Sequence, residues 1–363
     1  MMEMRATAMV LALMLATLSA GPVVAQVAAA ASDSWTAPRT EHGHPDLQGN
    51  WTNATLTPLQ RPAGQGPVLS AEQLAQIEGG VEALYEEGVQ DSDPDRPPPA
   101  VGGDDSALPP SVLTSSFIAA GGGTGGYNIV YIESGDQIAV VNGEPRSSLI
   151  TFPENGRVPP LTEEARQRRA EENAATRAFG AFDHPELRSL GERCIMSFGS
   201  NAGPPMLPNG FYNNNYTVVQ TADHVAIMTE MIHDTRIIEL RDGAPVPSDV
   251  RPYMGVSRGH WEGETLVVET TNLHPVQGVN GTSSPNTRVV ERFTRVNPET
   301  ILYEFTVEDP TVWTEPWGGQ VPMRKLDEQL HEYACHEGNY SFRNILSGAR
   351  FEERQAAEQT EQR

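Results

Sequence analysis

Apolar positions recur with two different periods along the chain. Behind Ser70, the residues Leu74, Ile77, Val81 and Leu84 fall at helical spacing, and Ser70 with Gln73 forms a capping box, so a helix is predicted from about Ala71. A second helix is predicted over about 163–179 behind the cap residue Thr162, with Arg and Glu on a solvated face, and a short one at Pro185 behind Asp183. From Tyr216 onward the period becomes two. Strands are predicted at 216–221, 225–240, 265–270, 288–296, 301–308, 311–317 and 328–335, after a hairpin of 128–141 and 147–152. Turns are predicted at Asp242-Gly243, Glu262-Gly263 and Asn297-Pro298. Such a meander removes its free edges by closing, so the expected fold is mainly β: an antiparallel meander forming a barrel or sandwich, calycin-like in shape, with a few peripheral helices.

Before the strands the chain is irregular. Residues 1–25 combine a short charged start, an apolar run and small residues before Ala25, the pattern of a secretory signal peptide. Residues 26–126 read as an irregular arm anchored by Trp35, Trp51 and Leu56, the short helix, and a Pro/Gly-rich loop over 91–126 that is a candidate lid. The β-rich body is expected over 127–349 and a polar, helical tail over 350–363.

Charge narrows the function classes. The chain carries 25 Lys+Arg against 48 Asp+Glu, net −23, which disfavours nucleic acid and anionic lipid as partners. Lys325 is the only lysine and no Gly-rich phosphate loop precedes it, so Schiff-base and P-loop chemistry are not expected. No later stretch approaches the roughly 20 apolar residues of a membrane span. A periplasmic or secreted location after cleavage near Ala25 then makes a disulfide between the two cysteines, Cys194 and Cys335, the expected state.

The densest group of reactive side chains lies at 230–236, Glu-Met-Ile-His-Asp-Thr-Arg. Read as one strand, it puts His233 in an apolar row and Glu230, Asp234 and Arg236 on the opposite face. His233 is then a candidate general base, and a core histidine beside an Asp234–Arg236 ion pair is the structural alternative. A second group, 331–340, supplies His336 and Glu337 as orienting or acid partners next to Cys335. Tyr216, Asn214 and Arg236 are candidate substrate contacts, as are Arg258, His260 and Trp261; for Asn214 and Tyr216 the commoner role is merely to satisfy loop carbonyls. The match Gly255-Val256-Ser257-Arg258-Gly259 lacks the strand-turn-helix context of a nucleophile elbow. No short metal-binding spacing occurs, and only a long-range set such as His233, His260, His336 and Glu337 could form a metal site.

Several strings carry a resemblance: 43–49 (Gly-His-Pro-Asp-Leu-Gln-Gly) running into 51–59, 203–208 (Gly-Pro-Pro-Met-Leu-Pro), 212–216, 230–236, 257–270 and 333–340. Together they resemble a family of exported bacterial proteins of uncharacterised function, over nearly the whole chain after the leader. The resemblance implies export and brings no activity. Members often carry arginine where this chain has His260, which counts against an essential role for His260.

The expected function is therefore an exported enzyme doing metal-free, cofactor-free acid–base chemistry (hydrolysis, elimination or isomerisation) on a small, partly apolar substrate. A calycin-like ligand-binding protein is the alternative, and a metal-dependent or serine hydrolase the third reading.

Overall fold

In the computed structural model the described residues are 35–88, 133 and 135–361, apart from Ala181, Gly199, Ser200, Phe211, Asp242, Pro245, Asn280, Gly281 and Ser283. The expected signal peptide, the 91–126 loop with its lid role, and the start of the 128–141 strand lie outside them.

Nine strands close into a barrel in the order β1 (Gly49–Thr52), β5 (Asn215–Gln220), β6 (His224–Thr229), β7 (Thr235–Glu239), β8 (Val256–Glu262), β9 (Thr265–Thr271), β10 (Arg288–Asn297), β11 (Thr300–Glu308) and β12 (Trp317–Lys325). Pairing of Trp51 and Thr52 with Lys325 and Arg324 joins the two ends. A small hairpin, β2 (Val140–Val141) and β3 (Glu144–Pro145), turns at Asn142-Gly143, and β4 (Ile150–Phe152) lies along β12. Among the described residues three α-helices are peripheral: α1 (Ala71–Gly88), α2 (Glu163–Arg177) and α3 (Tyr340–Glu361).

Alternation fills the barrel. On β10 and β11 the inward residues Val289, Glu291, Phe293, Ile301, Tyr303, Phe305 and Val307 are all buried. Met206 and Leu207, from the proline-rich segment 203–208, join Trp51, Tyr216 and Phe293 in the same core cluster. The helix caps follow the sequence. Gln73 Oε1 accepts the Ser70 N–H at 2.9 Å and Ser70 Oγ accepts the Gln73 N–H at 3.2 Å. Leu74, Ile77 and Val81 pack with Leu56, Leu69 and Ile138; the Leu84 side chain is outside the described set. Thr162 caps α2 by accepting the Ala165 N–H. At Pro185 the cap is His184 rather than Asp183, whose carboxylate takes the Gly180 N–H instead.

Five expectations are corrected. The 225–240 strand is two strands, β6 and β7, broken at 230–234. The arm is not all irregular, since β1 is a barrel strand, so the β body does not begin at 127. β7 and β8 pair in parallel, Ile238 with Ser257, so the chain between them crosses over; Asp242 of the expected hairpin turn is outside the described residues. The strand expected at 311–317 lies instead at Trp317–Lys325. Its glycines are required by contact: a Cβ on Gly318 would sit 2.0 Å from the Phe305 carbonyl oxygen, and one on Gly319 2.1 Å from that of Leu149. Pro322 fits because its nitrogen shares the edge from which Gln320 N–H reaches Leu149, in the gap between β4 and β1. Finally, 328–335 is an irregular strap, because β1 and β4 already occupy the outer edge of β12.

Candidate active site at the disulfide end of the barrel

Most of the expected substrate contacts are structural. Arg236 donates to both oxygens of Glu291, at 2.5 and 2.9 Å, and the two side chains are 3% and 0% exposed. Burial lowers the Arg236 pKa, the adjoining carboxylate raises it by more, and the net is upward. The expected Asp234–Arg236 ion pair is thereby replaced by Arg236–Glu291. Tyr303 O–H donates to Glu291 Oε1 at 2.9 Å and accepts the Met206 N–H at 2.8 Å. Tyr216 is fully buried, donating to the Asn201 carbonyl at 2.8 Å and accepting from Asn53 at 3.0 Å, so burial drives its pKa up. These hydroxyls tie the 201–207 segment to the barrel wall and leave no face of Tyr216 or Arg236 for a substrate. Asn214 is buried and bonds the carbonyls of Glu133 and Asn209. Arg258 bonds the carbonyls of Gly243 and Ala244, and exposed His260 sits 3.2 Å from Glu262. Trp261 stacks on His44, ring centroids 5.1 Å apart. Ser257 lies within β8, 2.8 Å from Thr270 Oγ1, and not on an elbow.

His233 is not in an apolar row. It is exposed on the β6–β7 turn, where Ile232 and His233 adopt φ of 61° and 48°. Two consecutive non-glycine residues in the left-handed region, one of them β-branched, cost on the order of 1–3 kcal/mol each and persist only where the surroundings impose them. Here the surroundings are explicit. Buried Glu230 accepts Asn215 Nδ2–H at 2.8 Å and the His331 N–H at 2.8 Å, while its own N–H bonds the Asn215 carbonyl. Buried Met231 accepts the Phe198 N–H on its sulfur at 3.2 Å. The turn closes through Thr229 N–H to the Asp234 carbonyl at 2.7 Å.

This frame holds Asp234 half-buried. Desolvation raises its pKa to about 6, against partial offsets from a Ser197 backbone hydrogen bond and the neighbouring charge of His233. Its Oδ2 is buried without a hydrogen-bond partner among the described residues. A second perturbed carboxyl stands nearby: Glu133, exposed as a residue, brings Oε2 to 3.2 Å from the same Asn215 amide, and desolvation, then Glu230 and Glu328, raise its pKa.

The Cys194–Cys335 disulfide is formed, with Cα atoms 5.8 Å apart. It anchors the strap beside the turn, and Asn339 reinforces it with bonds to the Glu192 carbonyl and Cys194 Sγ, both 3.4 Å. The two groups read from sequence thus meet, through His331 and Glu230. Against the disulfide lies an open cleft of about 590 Å³, walled by Phe198, Tyr333, Glu337 and Phe342. Burial, then the charge of Tyr212, raises the Tyr333 pKa. Glu337 lines the cleft, and His336 beside it is exposed. Glu230 and Tyr333 lie within the 230–236 and 331–340 strings but had no site role in the sequence-based reading, and Glu133 and Phe198, distant from both strings along the chain, carried no signal there.

Cavities of about 630 and 640 Å³ flank the β1–β12 seam and share Arg324. Their cations are engaged internally, Arg324 by Asp136 at 3.0 Å and Lys325 by Asp327 at 3.1 Å. Among the described residues no three His, Cys, Asp or Glu side chains group as metal ligands, so His233, His260, His336 and Glu337 form no such set. No described helix is long and apolar enough to cross a membrane. No family model, curated protein or solved structure matches the chain.

Proposed function

We propose that this protein is an exported acid–base catalyst acting on a small, partly apolar substrate at the disulfide end of the barrel. Asp234 is the proton-transferring group and His233, beside it on the turn, is its exchange partner with solvent. The observation that carries the reading is the Asp234 carboxyl, desolvated to a pKa of about 6 with one oxygen unpartnered, on a turn held in left-handed backbone geometry. A surface aspartate with a purely structural role ordinarily stays near 4 and uses both oxygens. Once ionised, Asp234 accepts a proton from the substrate or from a water attacking it and, as the carboxylic acid, returns that proton to the departing or newly formed group, while His233 re-equilibrates the carboxyl with solvent between turnovers. The filled barrel favours this surface site over a calycin-like interior cavity.

The test is turnover on a panel of small esters, lactones and β-elimination substrates. Catalysis should rise with pH through about 6 and level off. Asp234→Asn should lower it by about 10²–10⁴-fold with folding intact. Unchanged turnover in the folded variant, or no turnover by the native protein on any class, would overturn the reading.

A further inference from the structure

The cleft against the Cys194–Cys335 disulfide has a composition that points to the charge of what it holds. Its apolar surface comes from Phe198, Tyr333, Phe342 and Ile345, and its exposed charges from Glu332 and Glu337. No Lys, Arg or His lines it among the described residues. Glu192, at its edge, is occupied by Arg188 and by Ser189, whose N–H and hydroxyl donate at 3.0 and 2.9 Å. Phe198 is 38% exposed and Ile345 41%, so both present their surfaces to whatever enters.

Aromatic faces and carboxylates without a competing cation form the arrangement that attracts an organic cation, through ring quadrupoles and direct charge. The chain's net −23 adds long-range attraction of the same sign. An anionic ligand would meet two carboxylates and no counter-charge. Covalent anchoring of Cys335 fixes the Glu332–Tyr333 wall against the Phe198 wall, which limits the reorganisation needed on binding. Phe198, on the cleft wall, follows Ser197, whose backbone bonds Asp234, so the cleft wall and the proposed proton-transfer group are joined through one short segment.

We infer that the cleft binds a small organic cation, an alkyl or aryl ammonium with an apolar body, as the substrate class of the site. The inference rests on the proposed catalytic reading for the word substrate, and its binding claim stands apart from it.

Isothermal titration of the full disulfide-bonded protein with 4-phenylbutylamine and its neutral counterpart 4-phenylbutanol tests it. The amine should bind about tenfold more tightly than the alcohol, in the range that cation–π and carboxylate contacts supply. The preference should fall to about twofold in Glu332→Gln/Glu337→Gln and binding should weaken in Phe198→Ala, both exposed-site variants. Asp234→Asn should retain amine binding, which separates failure of catalysis from failure of recognition. Equal affinity for amine and alcohol, no binding of either, or an undiminished preference in the double glutamine variant would overturn the inference.

Discussion

A carboxyl held at about 6 makes an unusual demand on stability, and Asp234→Asn exposes it. Displacement from the ordinary 3.8 to about 6 corresponds to about 3 kcal/mol against the charged form at full desolvation. Asp234 is only half-buried, so solvent screening reduces this to about 1–2 kcal/mol. The folded chain binds the Asp234 proton more tightly than the unfolded chain. The contribution is therefore fully present below about pH 4 and is lost as pH rises through about 6. Asparagine keeps an oxygen for the Ser197 N–H and carries no charge. Asp234→Asn should thus match the native protein at pH 4 and exceed it by about 1–2 kcal/mol at pH 7.5. Urea unfolding of both proteins, disulfide intact, at four pH values from 4.0 to 7.5 gives the difference directly, with all other titrations cancelling. A variant less stable at pH 7.5, or a difference that does not change with pH, would refute the desolvation argument.

Three further outcomes follow from the barrel and its fastening. Arg236→Met alone should destabilise by about 3–5 kcal/mol by leaving Glu291 buried and unpaired, and Arg236→Met/Glu291→Met should recover much of that in chemical denaturation. Cys194→Ser/Cys335→Ser opens a bridge spanning 141 positions, so unfolding midpoints should drop by an amount equivalent to about 3–5 kcal/mol. His260→Arg, at an exposed side chain near Glu262, should change stability by no more than about 0.5 kcal/mol and leave turnover unaltered.

What could be read from the chain alone divides by mechanism. Helix starts were legible because caps are local: Ser70, Gln73 and Thr162 make the bonds their spacing dictates. The barrel was legible because burial alternates over the first six residues of β10 and over the second half of β11. The break at 230–234 was not, since Glu-Met-Ile-His-Asp alternates acceptably as a strand and no glycine marks the turn. Only tertiary bonds from Asn215, Phe198 and His331 force Ile232 and His233 into left-handed geometry. That single slip moved His233 from an interior row to the surface and gave Arg236 the wrong partner. β1 and β12 were obscured for the opposite reason. Gly49 and the Gly318-Gly319 pair lower strand propensity, and Gly318-Gly319 are needed because neighbouring backbone comes too close for any side chain. The cysteine pair tied the 331–340 group to residue 194 alone; its meeting with the 230–236 group comes from the His331–Glu230 hydrogen bond, which no spacing in the chain displays.

Proton transfer at this turn depends most on the state of one carboxyl, that of Asp234. Direct ¹³C NMR titration of the Asp234 side chain, identified by its loss in Asp234→Asn, measures it without a substrate. A midpoint near 6 is predicted, with the signal moving on to the carboxylate position above it. A midpoint near 4, the value of an ordinary solvated aspartate, would contradict the assignment of this turn as the proton-transfer site.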